Sequence, residues 1–167
     1  MRAKEGESCS DRRLTWIELQ TSICAPQERC FDLARSVELH LDAATDTRER
    51  VVGGVDRGLL GLGDEVVWEA RHFGLWHRLS TQITVFDRPR KFRDEMIDGP
   101  FRQLVHDHSF EPTDQGTIMR DTFGFASALR PLDRLALKPH LRRFLERRNE
   151  AIRQAAETAL WRRYLTG

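Results

Sequence analysis

Two histidines separated by a single residue, His106 and His108 in Leu-Val-His-Asp-His-Ser-Phe (104–110), are the clearest candidates for chemistry in this chain. On a strand, residues i and i+2 project from one face, so both imidazoles point the same way and Asp107 the other. Such a pair can chelate a metal with a carboxylate from a neighbouring strand. It can also move a proton near neutral pH, where imidazole titrates. Or it can line a pocket and orient a ligand. What lies opposite each ring decides among the three.

The surrounding elements are regular. The runs 64–73, 75–86, 91–97, 102–110 and 116–125 read as strands, separated by Gly74, Asp-Arg-Pro-Arg, Asp-Gly-Pro-Phe and Glu-Pro-Thr-Asp-Gln-Gly. Breaks this short make an antiparallel meander. Upstream, 14–23 alternates as a strand, 25–41 carries apolar residues at helical spacing behind Pro26 and reads as one or two short helices, and Arg-Glu-Arg-Val-Val-Gly-Gly is a short strand. Downstream, a long helix spans roughly 131–165, kinked or started late at Pro139, with Leu137, Leu141, Phe144, Leu145, Ile152, Ala156, Ala159 and Leu160 on one apolar side. A curved sheet must cover its apolar face, and this helix is the element available to do so. The fold class is therefore α+β: a curved antiparallel sheet wrapped around a long C-terminal helix, with two short helices after the first strand, an arrangement that commonly leaves a cavity. Residues 1–12 read as a flexible tail and 13–167 as one domain.

Alternation assigns the wall of that cavity. Pairing Glu111 with Gly116 sets Phe110 opposite Thr117, His108 opposite Met119, His106 opposite Asp121 and Leu104 opposite Phe123. On the other side, Asp94 meets Ile83 and His106, Phe92 meets Val85 and His108, and Met96 meets Thr81 and Leu104. Trp68 meets Leu79, and His72 shares their inner face. A polar row, Asp94–His106–Asp121, then crosses an otherwise apolar face. Asp107 should turn outward to Arg120.

The element order resembles that of a known superfamily. So do Gly-Leu-Leu-Gly-Leu-Gly-Asp-Glu-Val-Val-Trp-Glu-Ala-Arg-His-Phe-Gly (58–74) and the segments 83–96, 99–112 and 116–125. Together they resemble the START and birch-pollen-allergen-like (SRPBCC) superfamily, in particular its bacterial branch related to polyketide cyclases and dehydrases. The resemblance implies a helix-grip fold around a hydrophobic cavity that takes a lipid, polyketide or quinone-like molecule, in some members with catalysis.

The implied ligand-binding set is Trp68, His72, Asp94, Met96, Leu104, His106, His108, Phe110, Met119, Asp121 and Phe123, closed from the helix by Leu137, Leu141 and Phe144. The alternative is a cyclase or dehydrase using His106 with Asp94 or Asp121 as acid and base; a further one is a protein-interaction groove. No nucleophile motif supports catalysis. No metal is expected, because His108 should face apolar Phe92 and Met119 and helix-grip families rarely use one; no cofactor is expected either.

Composition excludes other classes. The 167 residues carry a net charge of +1, against the strong basic excess of a nucleic-acid binder. No apolar run reaches the ~20 residues that span a bilayer. The polar start lacks a signal-peptide core, and Cys9, Cys24 and Cys30 form no ligand spacing, so a reducing, cytoplasmic setting with free thiols is expected. Gly-Leu-Leu-Gly-Leu-Gly lacks the Gly-Lys-Ser/Thr ending of a phosphate loop and reads as a pocket rim. The helix arginines read mainly as a solvated face, and His40 as a surface or capping residue in preference to one near the pocket mouth. Monomer and homodimer are both open.

Overall fold

In the computed structural model, residues 14–128 and 133–165 are described; the expected tail, 1–12, lies outside them. Strand β1 (Thr15–Ile23) leads into helices α1 (Gln27–Ala34) and α2 (Val37–Ala43). Strands β2 (Arg50–Gly54), β3 (Glu65–His72), β4 (Leu75–Asp87), β5 (Lys91–Asp98), β6 (Gln103–Thr113) and β7 (Gly116–Ala126) follow. A π-helical turn, Asp133–Leu137, opens helix α3 (Lys138–Glu157), and a short α4 (Trp161–Leu165) ends the described chain. The sheet order is β1-β7-β6-β5-β4-β3-β2, antiparallel throughout. The expected meander is thus extended at both edges, by β1 beside β7 and β2 beside β3.

Local chemistry explains the breaks. Pro26 stands at the N-cap of α1, where a missing N–H costs nothing. The Ser36 hydroxyl accepts from Leu39 N at 3.3 Å and caps α2. Pro139 lies in the first turn of α3 and so starts that helix rather than kinking it. The C-terminal helix is not one piece as expected. Thr158 donates to Gln154 O and accepts from Leu160 N, so its side chain competes with the backbone ladder and its residue turns extended. Ala159 and Leu160 therefore lie exposed at this break instead of continuing the apolar stripe.

Registers decide what faces what. Trp68 pairs with Leu79, Thr81 with Met96, and Asp94 with both Ile83 and His106, as expected. A bulge between Ile83 and Val85 moves Phe92 from Val85 to Phe86. The larger correction is in the β6–β7 hairpin. Strand β6 continues to Thr113, which meets Gly116 across the two-residue turn Asp114–Gln115. The expected Glu111–Gly116 pairing is off by two residues, because the hairpin adopts the shortest turn in place of the four-residue loop assumed for it. An even slip keeps each side chain on its face and changes its neighbour. Phe110 now meets Met119, His108 meets Asp121, His106 meets Phe123 and Leu104 meets Phe125.

The core is divided. Under α1, Phe31 makes edge-on contacts at 5.4 Å with each of Phe86, Phe92 and Phe110. A second cluster joins Ile17, Leu104, Phe123 and Phe125 to Leu145 of α3. A third packs Val37 on Val66 and Trp68. The space between them is not filled by side chains.

Candidate functional site

That space is a cavity of about 340 Å³ between the sheet and α3. Its apolar wall includes Val66, Trp68, Leu79, Ile83, Leu104 and Phe123 from the sheet, with Leu137, Leu141 and Phe144 from the helix. Of the residues expected in the wall, Trp68, His72, Asp94, Leu104, His106, Phe123, Leu137, Leu141 and Phe144 line it. Met96, His108, Phe110, Met119 and Asp121 do not. Phe110 and Met119 are sealed into the core under Phe31 of α1. Met96 packs beside the second cluster, and His108 and Asp121 lie buried against the ring of His106.

The polar row is a network rather than a line. His106 Nε2 lies 3.0 Å from Asp121 Oδ1, and His108 Nε2 lies 3.1 Å from Asp94 Oδ2. His108 Nδ1 is 2.8 Å from the same Asp121 oxygen but off the direction of its N–H, so that contact is ionic without being a well-aligned hydrogen bond. Asn149 Nδ2 donates to Asp121 Oδ2 at 2.6 Å. The Arg148 guanidinium donates to Ala34 O at 2.7 Å and holds Nη1 at 3.7 Å from Asp121. The expectation that His108 faces only Phe92 and Met119 is corrected: it stacks on Phe92 at 4.2 Å and sits between two carboxylates. Asp107 does turn outward, but it pairs with Arg93 at 2.7 Å, while Arg120 pairs with Glu111 at 2.6 Å.

Burial sets the protonation. Desolvation, helped by the charge of His108, depresses the His106 imidazole to about 4, against the pull of Asp121 and Asp94. His106 is therefore a neutral base at physiological pH. Burial alone would raise Asp121, but the hydrogen bond from His106, the close contact of His108 and the charges of both rings outweigh it and hold the carboxyl well below its ordinary range. Asp94 is lowered in the same way, against its own desolvation, by His108 and the charges of His106, His108 and Arg148.

The opposite wall joins the expected His72 to a histidine the sequence did not reveal, His140. His72 Nδ1 and His140 Nε2 are 2.9 Å apart, one neutral ring donating to the other. Both are depressed, first by desolvation, then by His140 and His77 for His72 and by Arg147 and Arg143 for His140. His40, read first as a surface or capping residue, lines the cavity, its ring tilted against Trp68 with centroids 4.3 Å apart, and lies 3.3 Å from Glu49. Arg148 is the main omission. Composition groups it with the solvated arginines, yet it lies three residues after Leu145 and four before Ile152, inside the apolar stripe, and that periodicity is the available signal. Cys30 is buried in α1, its thiol pushed up by burial, so it is a packing residue. Among the described residues, Asp94, His106 and His108 are the group whose atoms could hold a metal.

Solved structures share this architecture. The Zhui aromatase/cyclase from Streptomyces sp. R1128 superposes with a TM-score of 0.70 at 14% identity, over 86% of this chain and 94% of its own. The helix-grip fold, a curved antiparallel sheet around a long C-terminal helix, is what this chain shares with it. Ginseng major latex-like protein 151 from Panax ginseng gives 0.66 at 12% identity, over 87% and 99%. TTHA0849 from Thermus thermophilus gives 0.65 at 19%, over 85% and 99%. No protein-family model and no curated protein matches the sequence. Among the described residues, no helix is long and apolar enough to cross a membrane.

Proposed function

We propose that this chain reversibly binds a small, largely apolar molecule in the cavity between the sheet and α3. The observation that carries the reading is the cavity itself, about 340 Å³ lined mostly by apolar side chains with a few convergent polar groups. Trp68, Leu104, Phe123, Leu141 and Phe144 supply the walls. Arg148, Asp94 and His106 supply the handle at one end, and His72 with His140 the handle at the other. His140, Phe144 and Arg148 follow at i, i+4 and i+8 on α3, so the two handles stand about 12 Å apart along the helix. A molecule with oxygen functions at both ends of an apolar body matches that spacing. The protein acts in a reducing interior as a carrier or receptor. Native mass spectrometry of freshly purified protein tests this: a retained mass that is lost in an Arg148→Met, Leu141→Trp double variant supports it, and repeated recovery of the bare chain, with no uptake from a panel of lipids, quinones and aromatic polyketides, sinks it.

A second reading is favoured by one observation. His106 is neutral, lines the cavity and is held by Asp121, which is the state and setting of a general base. The solved aromatase/cyclase with the same fold is an enzyme by name. In this reading the chain cyclises or dehydrates its ligand, and His106→Gln abolishes turnover while leaving ligand affinity within about threefold. Equal turnover by wild type and variant would remove it.

A further inference from the structure

We infer that Asp94, His106 and His108 form a three-ligand site for a divalent transition-metal ion, two imidazoles and one carboxylate, with its open positions facing the cavity. One donor atom from each residue lies within 4.8 Å of the other two. All three stand on the β5–β6 pair, where Asp94 lies opposite His106 and His108 is two residues further along the same strand face, and the β6–β7 register adds Asp121 behind them.

The distances suit an ion. Asp94 Oδ2 and His108 Nε2 are 3.1 Å apart. Two atoms at that separation, each about 2.1 Å from a metal, subtend an angle of about 95°, close to the right angle of an octahedral or facial arrangement. In a facial set the donors stand about 3 Å apart in pairs, so from within 4.8 Å His106 has to close by about 1.8 Å at most. Its ring borders the cavity.

The second argument lies in the other ring nitrogens. A metal-ligating histidine almost always donates its remaining N–H to a carboxylate or carbonyl, which fixes its tautomer and orientation. Asp121 does this for His106, facing its Nε2 at 3.0 Å, and the same oxygen stands 2.8 Å from His108 Nδ1, off the direction of that N–H. Asn149 in turn holds Asp121. The nitrogens left over are His106 Nδ1 and His108 Nε2. Among the described residues, His106 Nδ1 forms no hydrogen bond. A network built only to satisfy itself would not leave that nitrogen idle, nor His108 Nδ1 misaligned, nor Arg148 Nη1 and Asn149 Oδ1 buried without hydrogen bonds.

Charge and donor type narrow the ion. With both imidazoles in the neutral form that a metal ligand requires, Asp94 and Asp121 outweigh Arg148 by one negative charge. A dication brings the cluster to one positive charge, which an anionic oxygen on a cavity molecule cancels. Imidazole donors favour Zn²⁺, Fe²⁺ or Co²⁺ over Mg²⁺ and Ca²⁺, which take oxygen. Three protein ligands leave positions for water or ligand, the pattern of a working site rather than a structural one. The inference does not rest on the apolar-ligand reading, since the ion can bind an empty cavity.

The test is metal binding alone. Chelator-treated protein is titrated with Co²⁺, followed by its visible d–d bands, and with Zn²⁺ by calorimetry. One equivalent per chain is expected. Asp94→Asn and His106→Gln, both at the cavity wall and near-isosteric, should each weaken binding at least about 100-fold while circular dichroism stays native. Asp121→Asn, acting through the rings, should weaken it about 10- to 100-fold. His72→Gln and His140→Gln should leave it unchanged. Absence of bands and heat at millimolar metal overturns the site, as does binding that survives Asp94→Asn and His106→Gln but is lost in His72→Gln.

Discussion

Asp121 sits directly opposite His108 on the β6–β7 ladder, and its Oδ1 lies within 3.0 Å of both His108 Nδ1 and His106 Nε2. One buried carboxylate oxygen therefore fixes two rings on the neighbouring strand, while its other oxygen is tied to Asn149 of α3. Sheet and helix are joined at this point by a polar contact inside an otherwise apolar interface.

Removing that carboxylate charge should be expensive. Asp121→Asn leaves the buried Arg148 guanidinium without its ionic partner, a loss of about 3–5 kcal/mol. Urea unfolding reads it as a lower midpoint. Adding Arg148→Met should recover part of the loss, because a buried pair replaced by apolar groups is often close to neutral. A single-variant loss below about 1 kcal/mol would show that Asp121 is not the anchor.

Filling the cavity should separate binding from folding. Ala70 is buried in β3 and faces the cavity. Ala70→Phe places a ring where a ligand would lie and should lower uptake of an apolar fluorescent probe at least tenfold. Its effect on the thermal midpoint should be small, since the space is present already. Unchanged probe affinity would locate probe binding elsewhere.

Acid should loosen the wall around His72. The groups facing it are His140, His77 and Glu49, and those acting on His140 include Arg143 and Arg147. Both rings are depressed in the folded state, so the unfolded chain binds protons first as pH falls. Stability from this pair is full above about 6.5 and drains away as pH falls below it. Thermal melts between pH 8 and 5 should show a falling midpoint, with a shallower slope in His72→Gln. An identical slope in the variant would exclude this pair as the cause.

Gly124 should not tolerate a side chain. A Cβ there would fall 2.5 Å from Cζ3 of Trp16, its partner across the β1–β7 ladder. Gly124→Ala should destabilise by about 1–3 kcal/mol, and Trp16→Leu should relieve the clash. Chemical denaturation of the two single variants and the double tests the coupling.

Strand period carries most of what is legible in the sequence. Alternation places Trp68, Leu104, His106 and Phe123 on the inner face correctly, because a face assignment survives any even slip. Neighbours do not survive it. The identity of the residue opposite His108 depends on whether the chain turns at Asp114–Gln115 or earlier, and Pro112 within the strand argues for the earlier turn. At the start of β7, where the strand passes the end of β1, Gly116 is required: a Cβ on it would fall 2.1 Å from Ile23 O. Phe110 and Met119 escape assignment for a different reason. Only the docking of Phe31 tells a core position from a cavity position on the same face. Arg148 is hidden by composition, as one arginine among many, although its helical phase marks it as internal.

The unfilled space between sheet and helix also has a mechanical meaning. An interior normally packed to crystal density resists compression, whereas a cavity of about 340 Å³ is volume that unfolding can eliminate. Hydrostatic pressure acts on that volume directly, so this chain should yield at lower pressure than a solidly packed domain of its size. An occupant would then serve as a brace as well as a cargo, and the pressure at which the protein gives way would report whether the space is full.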